Sequence, residues 1–437
     1  MGKEERIIIP ESVGKKFRAI RERLGRTQES IAISLSYGPT FIGDMEREGI
    51  KIPLKQYAQL KKELKITDVP FLDFEKEEFE EELREWKDLV YAGDFHKASE
   101  LMPGLARRAK LSDDTYLMTQ YELSCAYYYF VASKMDEFNH LLNLLGKKEE
   151  TFIEKQRFFY YYLKGLRDSK AAHYKIALVS LFKAEEAGKR IPLAEQSRLP
   201  YDSLYYYIAF CLAFLQYAVK SEEYLNKYEA IFHKKSRFLS THFIHSLHIR
   251  NLITLQQYAE AISVIKTCML EGKGTSANKL FMSTLHRSLG RIYYKTKEYN
   301  KAIVEYDTSL RYTNKDSELY CFTLYLKAQT LLAAGKTDEG TGYIEKGLTE
   351  VKKDTNTEAL LMALKHSINL KDPSSLRYME TVAIPKLIEY GDRVLAAEYC
   401  NALQDYFCEI STYKRALHYC RLELEIRRKL WEGDLSL

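Results

Sequence analysis

Three groups of residues in this 437-residue sequence could carry chemistry: spaced histidines, a glycine-lysine loop and clustered cations. His242, His245 and His248 recur at every third position of one helical stretch. Three-residue steps drift by about 60° around a helix over six residues, which splays a ligand set apart. His245 and His248 fall at helix-packing positions, so no metal site is expected. Gly272-Lys273-Gly274-Thr275 lacks the full spacing of a phosphate-binding loop and reads as a connection between helices. Zinc-protease, nucleophile-elbow and dinucleotide-binding motifs are absent from the sequence. Cys400, Cys408 and Cys420 have no histidine at catalytic spacing, and none of the seven cysteines forms a C-x-x-C pair. Reduced, buried thiols are expected. The reading is therefore of a protein that is not an enzyme and takes no metal or cofactor. The cations are the informative group. Lys15, Lys16, Arg18, Arg21, Arg23 and Arg26 have only Glu22 as a nearby opposing charge, and cations so grouped suit phosphate.

The elements that hold these residues follow from composition and charge. Only 20 Gly and 9 Pro occur in the chain, while Leu, Ala, Glu and Lys abound, which points to an all-α protein. The chain is too long for one compact core, so several domains or an extended array are expected. No apolar run reaches a membrane span. The longest, Tyr205 to Val219, is broken by Gln216 and reads as a buried helix. No secretory leader is read at the N-terminus, and a cytosolic protein without membrane contact is expected. The chain holds 66 basic and 61 acidic residues, of which residues 1–66 hold 14 and 9. The remainder is balanced at 52 of each, so the whole excess of +5 sits in the first 66 residues. A small basic module on a neutral body is the footprint of a nucleic-acid-binding head. Pro70 and the acidic run from Asp73 to Glu82 mark residues 67–80 as a linker, with a second domain over residues 81–437.

Within residues 1–66 four helices are expected. The first runs from about Ser12 to Arg23, closed by Gly25. Thr27 caps the second. Pro39 opens the third, which turns Ile42 and Met45 inward. Leu54, Tyr57, Leu60 and Leu64 define the fourth. Thr27-Gln28-Glu29, Ile31-Ala32, Leu35-Ser36, Ile42 and Met45-Glu46-Arg47 resemble the helix-turn-helix domain of XRE/Cro-type repressors over about residues 13–66. The resemblance implies that the third helix enters the major groove of double-stranded DNA. By the same likeness Gln28 holds backbone, Thr40, Phe41 and Asp44 face bases, and Arg47 sits at the groove edge. The third helix departs from the pattern: it has no Lys or Arg between Pro39 and Glu46, and Asp44 replaces a more usual basic or amide residue. Bidentate Arg readout of bases is thus lacking. Affinity is expected to rest on Lys15, Lys16, Arg18, Arg47 and Lys51 against phosphates.

The rest of the chain repeats. An aromatic residue followed three positions later by Ala opens a helix at Phe95, Tyr174, Tyr258, Tyr299 and Tyr413, with weaker copies near Met135, Ser221, Thr337 and Pro373. The step is about 40 residues, giving about nine helical pairs, and it accounts for 34 Tyr beside two Trp. Leu289-Gly290, Tyr293, Tyr299 and Ala302 resemble the tetratricopeptide repeat, which implies a right-handed solenoid. Counting from the small residue of each first helix, Arg250, Arg287, Arg291, Tyr325, Gln329, Lys365, Asn369 and Asn401 are expected on the concave face. Amides there suit a peptide backbone, and Arg suits its carboxylates.

A helix-turn-helix head on long tetratricopeptide units resembles the RRNPP family of peptide-sensing regulators of Gram-positive bacteria and their phages, its NprR branch in size and order, with the phage arbitrium receptors a second match. The resemblance implies a cytosolic homodimeric transcription factor bound to an inverted-repeat operator and controlled by a short signalling peptide. A second reading of a different class stays open: repeats that capture a response-regulator protein, as a protein-interaction or phosphatase-type regulator.

Overall fold

The structure, a computed structural model, describes residues 5–196, 199–235, 241–271 and 279–431. The Gly272-Lys273-Gly274-Thr275 loop lies outside them. The chain divides into two compact units, residues 1–163 and 164–437.

The first unit opens with a feature that the sequence did not betray. β1 (Arg6–Ile9) and β2 (Ile50–Pro53) form an antiparallel ribbon, with Ile7 opposite Ile52 and Ile9 opposite Ile50. Each strand is four residues long, so period-2 alternation had too little length to register. Between and after them come α1 (Glu11–Arg23), α2 (Gln28–Leu35), α3 (Pro39–Arg47) and α4 (Leu54–Glu63), in the expected order. Thr27 Oγ1 accepts the Ser30 N–H at 3.0 Å, the cap expected for α2. Pro39 stands in the first turn of α3. Val13, Phe17, Ile20, Ile31, Ala32, Leu35, Ile42 and Met45 are buried in one core.

Helical pairs follow. They are α5 (Asp73–Tyr91) with α6 (Phe95–Ser112), α7 (Thr115–Val131) with α8 (Met135–Gly146), and α9 (Glu154–Lys170) with α10 (Tyr174–Lys189). After the single turn α11 (Leu193–Gln196) come α12 (Tyr201–Phe214) with α13 (Ala218–Lys235), α14 (Thr241–Thr254) with α15 (Tyr258–Glu271), and α16 (Lys279–Lys295) with α17 (Tyr299–Tyr312). The last are α18 (Glu318–Ala333) with α19 (Thr337–Glu350), α20 (Asn356–Ser367) with α21 (Pro373–Tyr378) and α22 (Ile384–Glu389), and α23 (Arg393–Glu409) with α24 (Tyr413–Trp431). A π turn at Met379–Ala383 joins α21 to α22. The pairs are those of a tetratricopeptide-type all-α protein. Five marker aromatics, Phe95, Tyr174, Tyr258, Tyr299 and Tyr413, are each the first residue of a second helix. Two residues before each of them the chain turns through a left-handed residue: Gly93, Ala172, Gln256, Lys297 and Ser411. Around Lys297 the Glu298 N–H reaches the Tyr293 carbonyl at 2.8 Å, the bond that closes a left-handed helix end. In α16 Gly290 lies against the ring of Tyr306, where a methyl group would stand 2.5 Å from a ring carbon.

Residues 67–80 are not a linker. Val69, Phe71 and Leu72 are buried in the core of the head, and α5 starts at Asp73. The Glu75 carboxylate accepts the N–H groups of Phe71 and Leu72 at 2.9 and 3.0 Å, the Tyr57 hydroxyl at 2.6 Å and Lys61 Nζ at 2.5 Å. Burial pushes that carboxyl up, but these bonds outweigh it and hold it below its ordinary value. Other acids of the run are likewise spent on helix partners. Glu80 accepts from Tyr116 and Lys155, both at 2.6 Å, and Glu82 pairs with Arg108. An acidic run reads as solvated linker only until the basic residues opposite it are known.

In the second unit buried clusters form around Ile249, Leu285 and Ile292, around Tyr206 and Tyr228, and around Tyr325, Leu361 and Phe407. The apolar stretch from Tyr205 is the buried helix α12, ended by a left-handed turn at Gln216. Among the described residues no helix is long and apolar enough to cross a membrane. Cys125, Cys211, Cys268, Cys321 and Cys400 are buried free thiols, but Cys408 is exposed and Cys420 half-buried, on outward positions of α23 and α24.

Candidate functional site

The basic surface expected on the head is smaller in the structure. Arg21 is buried, donating Nε to Glu46 Oε1 at 2.6 Å and Nη2 to Oε2 at 2.9 Å. Gln28 Nε2 donates to the same carboxylate at 2.9 Å, so Gln28 fastens α2 to α3 instead of standing free for phosphate. The spacing of Arg21 and Glu46, 25 residues apart, offered no local signal of this bond. Lys16 is also withdrawn: its Nζ donates to the carbonyls of Ser112 and Asp113 at 2.6 and 2.9 Å, at the end of α6. A cation at a helix C-terminus meets the negative end of its dipole. Arg26 pairs with Glu63 at 3.2 Å.

The other head residues are accessible to a partner. Lys15 and Arg18 are exposed on α1 in one-turn pairs with Glu11 and Glu22, at 2.5 and 2.8 Å. Thr40 and Lys51 are exposed. Phe41 is half-buried and stacked on Tyr37, with centroids 3.8 Å apart. Arg47 bonds Asp44 at 3.0 Å and the Gly43 carbonyl at 3.2 Å, with most of its side chain in solvent. Exposed pairs of this kind contribute about 0–1 kcal/mol, so a phosphate can replace the carboxylate.

In the second unit, α14 and α16 bring three guanidinium groups together. Arg250 lies 3.9 Å above the Phe214 ring and donates Nε to the Ala213 carbonyl at 3.2 Å. Arg287 is buried, at 8% exposure. Its Nη2 donates to Thr284 Oγ1 at 3.1 Å, while its buried Nη1 has no partner among the described residues. Burial first, and the charge of Arg291 next, push both Arg250 and Arg287 down to about 10. Arg291 is half-buried. The countercharge is Asp392, which the sequence did not suggest. Its carboxylate is pushed up by burial and drawn back by Arg250 and Arg291. Gln216 Nε2 donates to Asp392 at 3.3 Å, Gln216 Oε1 accepts the Val394 N–H at 3.3 Å, and Arg393 Nη1 donates to the Tyr217 hydroxyl at 2.6 Å. The end of α12 thus meets the start of α23 across 176 residues. Only that long-range closure places an acid beside the arginines.

The remaining expected groove residues divide. Tyr325 is buried, its hydroxyl pushed far up by burial, and Gln329 is half-buried. Lys365 is exposed near the end of α20. Asn369 is not on a first helix at all: α20 ends at Ser367, and Asn369 Oδ1 accepts the Lys371 N–H at 3.2 Å within its own loop. Asn401 is exposed on α23, donating to Asp405 at 3.3 Å. The three histidines part company. His248 Nδ1 meets Glu222 at 3.0 Å, His245 Nδ1 meets Cys268 Sγ at 3.1 Å, and His242 lies against Phe281. Among the described residues no group of three His, Cys, Asp or Glu is placed to hold a metal ion.

No family profile matches the chain, and no curated protein matches it. Solved structures do. The apo form of the quorum sensor NprR from B. thuringiensis is 20% identical with a TM-score of 0.60, covering 80% of this chain and 99% of that one. NprR in complex with its cognate peptide NprX is 22% identical with a TM-score of 0.70 over the same shares. A Rap protein complexed with competence and sporulation factor is 15% identical with a TM-score of 0.67, covering 82% of this chain and 99% of that one. These are peptide-sensing regulators of the family that the sequence resembles, and the chain has their tetratricopeptide-type all-α fold.

Proposed function

We propose that the chain is a cytosolic, non-enzymatic transcriptional regulator whose head binds operator DNA and whose second unit binds a short signalling peptide. One observation carries the peptide reading: Arg250 and Arg291 share the half-buried carboxylate of Asp392, and beside Arg291 a buried N–H of Arg287 has no partner among the described residues. Three cations and one acid leave room for a further anion, and an orphaned buried donor costs about 1–3 kcal/mol until it is met. A peptide carboxylate supplies both the charge and the acceptor. Arg287, Arg291, Tyr325 and Gln329 form the contact strip, with Lys365 and Asn401 at its margin. Support for the class of ligand comes from two solved structures of this fold, which hold NprX and competence and sporulation factor.

On the DNA side Lys15, Arg18, Arg47 and Lys51 meet phosphate, and Thr40, Phe41 and Asp44 face the groove. A homodimer places two heads on an inverted repeat. The exposed Tyr413, Leu417 and Leu424, spaced four and seven residues apart along α24, suit a dimer seam. Mobility-shift titration of the full chain on DNA selected from a random pool tests the head. Lys15→Ala with Arg47→Ala should weaken binding on all sequences and reduce the salt slope by about two phosphate contacts. An unchanged slope removes the DNA assignment and leaves capture of a response regulator by the repeats as the reading to pursue.

A further inference from the structure

The first unit holds a cavity of about 490 Å³ that neither the DNA nor the peptide reading uses. Its size is that of small-ligand sites, which run from about 300 to 1,000 Å³. α6 contributes only Met102 to it. The next two residues are Pro103 and Gly104, and around a methyl built on Gly104 there is open space. Both are exposed, so past Met102 α6 turns its surface to solvent and adds no further side chain to the cavity wall. The floor is one face of α7, with Tyr121, Cys125 and Tyr129 at successive turns. The rim is the first turn of α8, where Asp136 and Glu137 are exposed.

Along the rim α8 adds exposed His140 and half-buried Leu141, one turn on from Asp136 and Glu137, so the acids outnumber the one basic group. Tyr121 is engaged, its hydroxyl donating to the Met102 carbonyl at 3.3 Å. Burial pushes the Cys125 thiol up to about 12, so the floor is neutral and the thiol is no nucleophile. Glu122 also lines the cavity, but Lys148 neutralises it at 3.0 Å. No partner is recorded for the carboxylates of Asp136 and Glu137 among the described residues. Their place in the first turn of α8 favours them through the helix dipole, which accounts for the acids but not for the hollow beneath them. Aromatic and thioether walls under an unpaired acidic rim suit a cation carried on an apolar stem. Guanidinium fits better than ammonium, because its plane stacks on a phenol ring while its fork meets carboxylates.

The geometry points to a binding site for an arginine side chain, presented by a partner polypeptide, in the cavity between α6, α7 and α8. The site lies within residues 102–141 and is independent of the arginine cluster of the second unit, which repels such a ligand. The test is titration of the full chain with N-acetylarginine methylamide, read by calorimetry and by NMR. Saturable binding in the millimolar range is expected, with the uncharged citrulline analogue about tenfold weaker. Asp136→Asn with Glu137→Gln, both on exposed positions, should lose about tenfold as well, and Tyr129→Leu should do the same with an unchanged circular dichroism spectrum. No saturation, equal binding of the citrulline analogue, or unchanged affinity in the acidic double variant would each overturn the assignment.

Discussion

At the scale of single residues, buried cations mark the places where this protein sacrifices stability. Lys87 on α5 is half-buried, with Nζ 4.9 Å from the centre of the Phe159 ring. Burial, then Lys155, push its amine from 10.5 down to about 8, while Glu80 pulls the other way. A lowered amine pKa means that the unfolded chain holds the proton more tightly than the folded one. The charge therefore costs stability below pH 8, and the cost fades as pH rises from about 8 to 10.5. Lys87→Met should raise Tm at pH 7 and lose that gain by pH 10, which thermal melts across pH will show. Arg287 carries the same cost with a reason for it. Arg287→Met should raise Tm, since replacing a buried, unmatched charge by an apolar chain of similar length is often stabilising. The same variant should weaken an acidic cognate peptide by about ten- to a hundredfold, the loss of one charged hydrogen bond. Unchanged peptide affinity by calorimetry would place the ligand elsewhere.

At the scale of elements, two joints decide how the helices meet. Glu75 ties α5 to α4 and to the incoming chain through four donors. Because its carboxyl is held below the ordinary value, the stability it supplies is present above the unfolded pKa and is lost as pH falls through the folded one. Glu75→Gln should lower stability by about 2–3 kcal/mol at pH 7, and the difference from the parent protein should shrink in acid denaturation. The second joint is Gly290 on α16, packed against Tyr306 of α17. A methyl group there meets Tyr306 at 2.5 Å, so Gly290→Ala should cost about 1–3 kcal/mol in spite of alanine's better helix propensity. Chemical denaturation at constant slope measures it. Gly290 was legible from the repeat pattern, because tetratricopeptide units require a small residue at that place. Glu75 was not, because an acid in an acidic run looks the same whether it is solvated or clamped.

At the scale of the whole molecule, association is the open property with a specific handle. Leu417→Lys with Leu424→Lys on α24 should convert a dimer to a monomer in light scattering without lowering Tm, since both side chains are exposed, at 51% and 61%. A dimer that survives the double variant would place the seam on another face. What the sequence alone determined is whatever depends on period and neighbourhood. Few breakers and a step of about 40 residues led to paired helices. The aromatic markers fell on the first residues of second helices, and Thr27 and Pro39 stood at the starts of α2 and α3. These are contacts made within one or two turns, which the chain writes in its own order. The tertiary structure decided everything that joins distant positions: the β1–β2 ribbon, the Glu46 carboxylate that buries Arg21 and engages Gln28, and the carbonyls of Ser112 and Asp113 that take Lys16. It also set Asp392 among Arg250 and Arg291. The reason is physical. A charge is surface or core according to what faces it in space, and the partners here lie from 18 to about 140 residues away, beyond the reach of any local pattern.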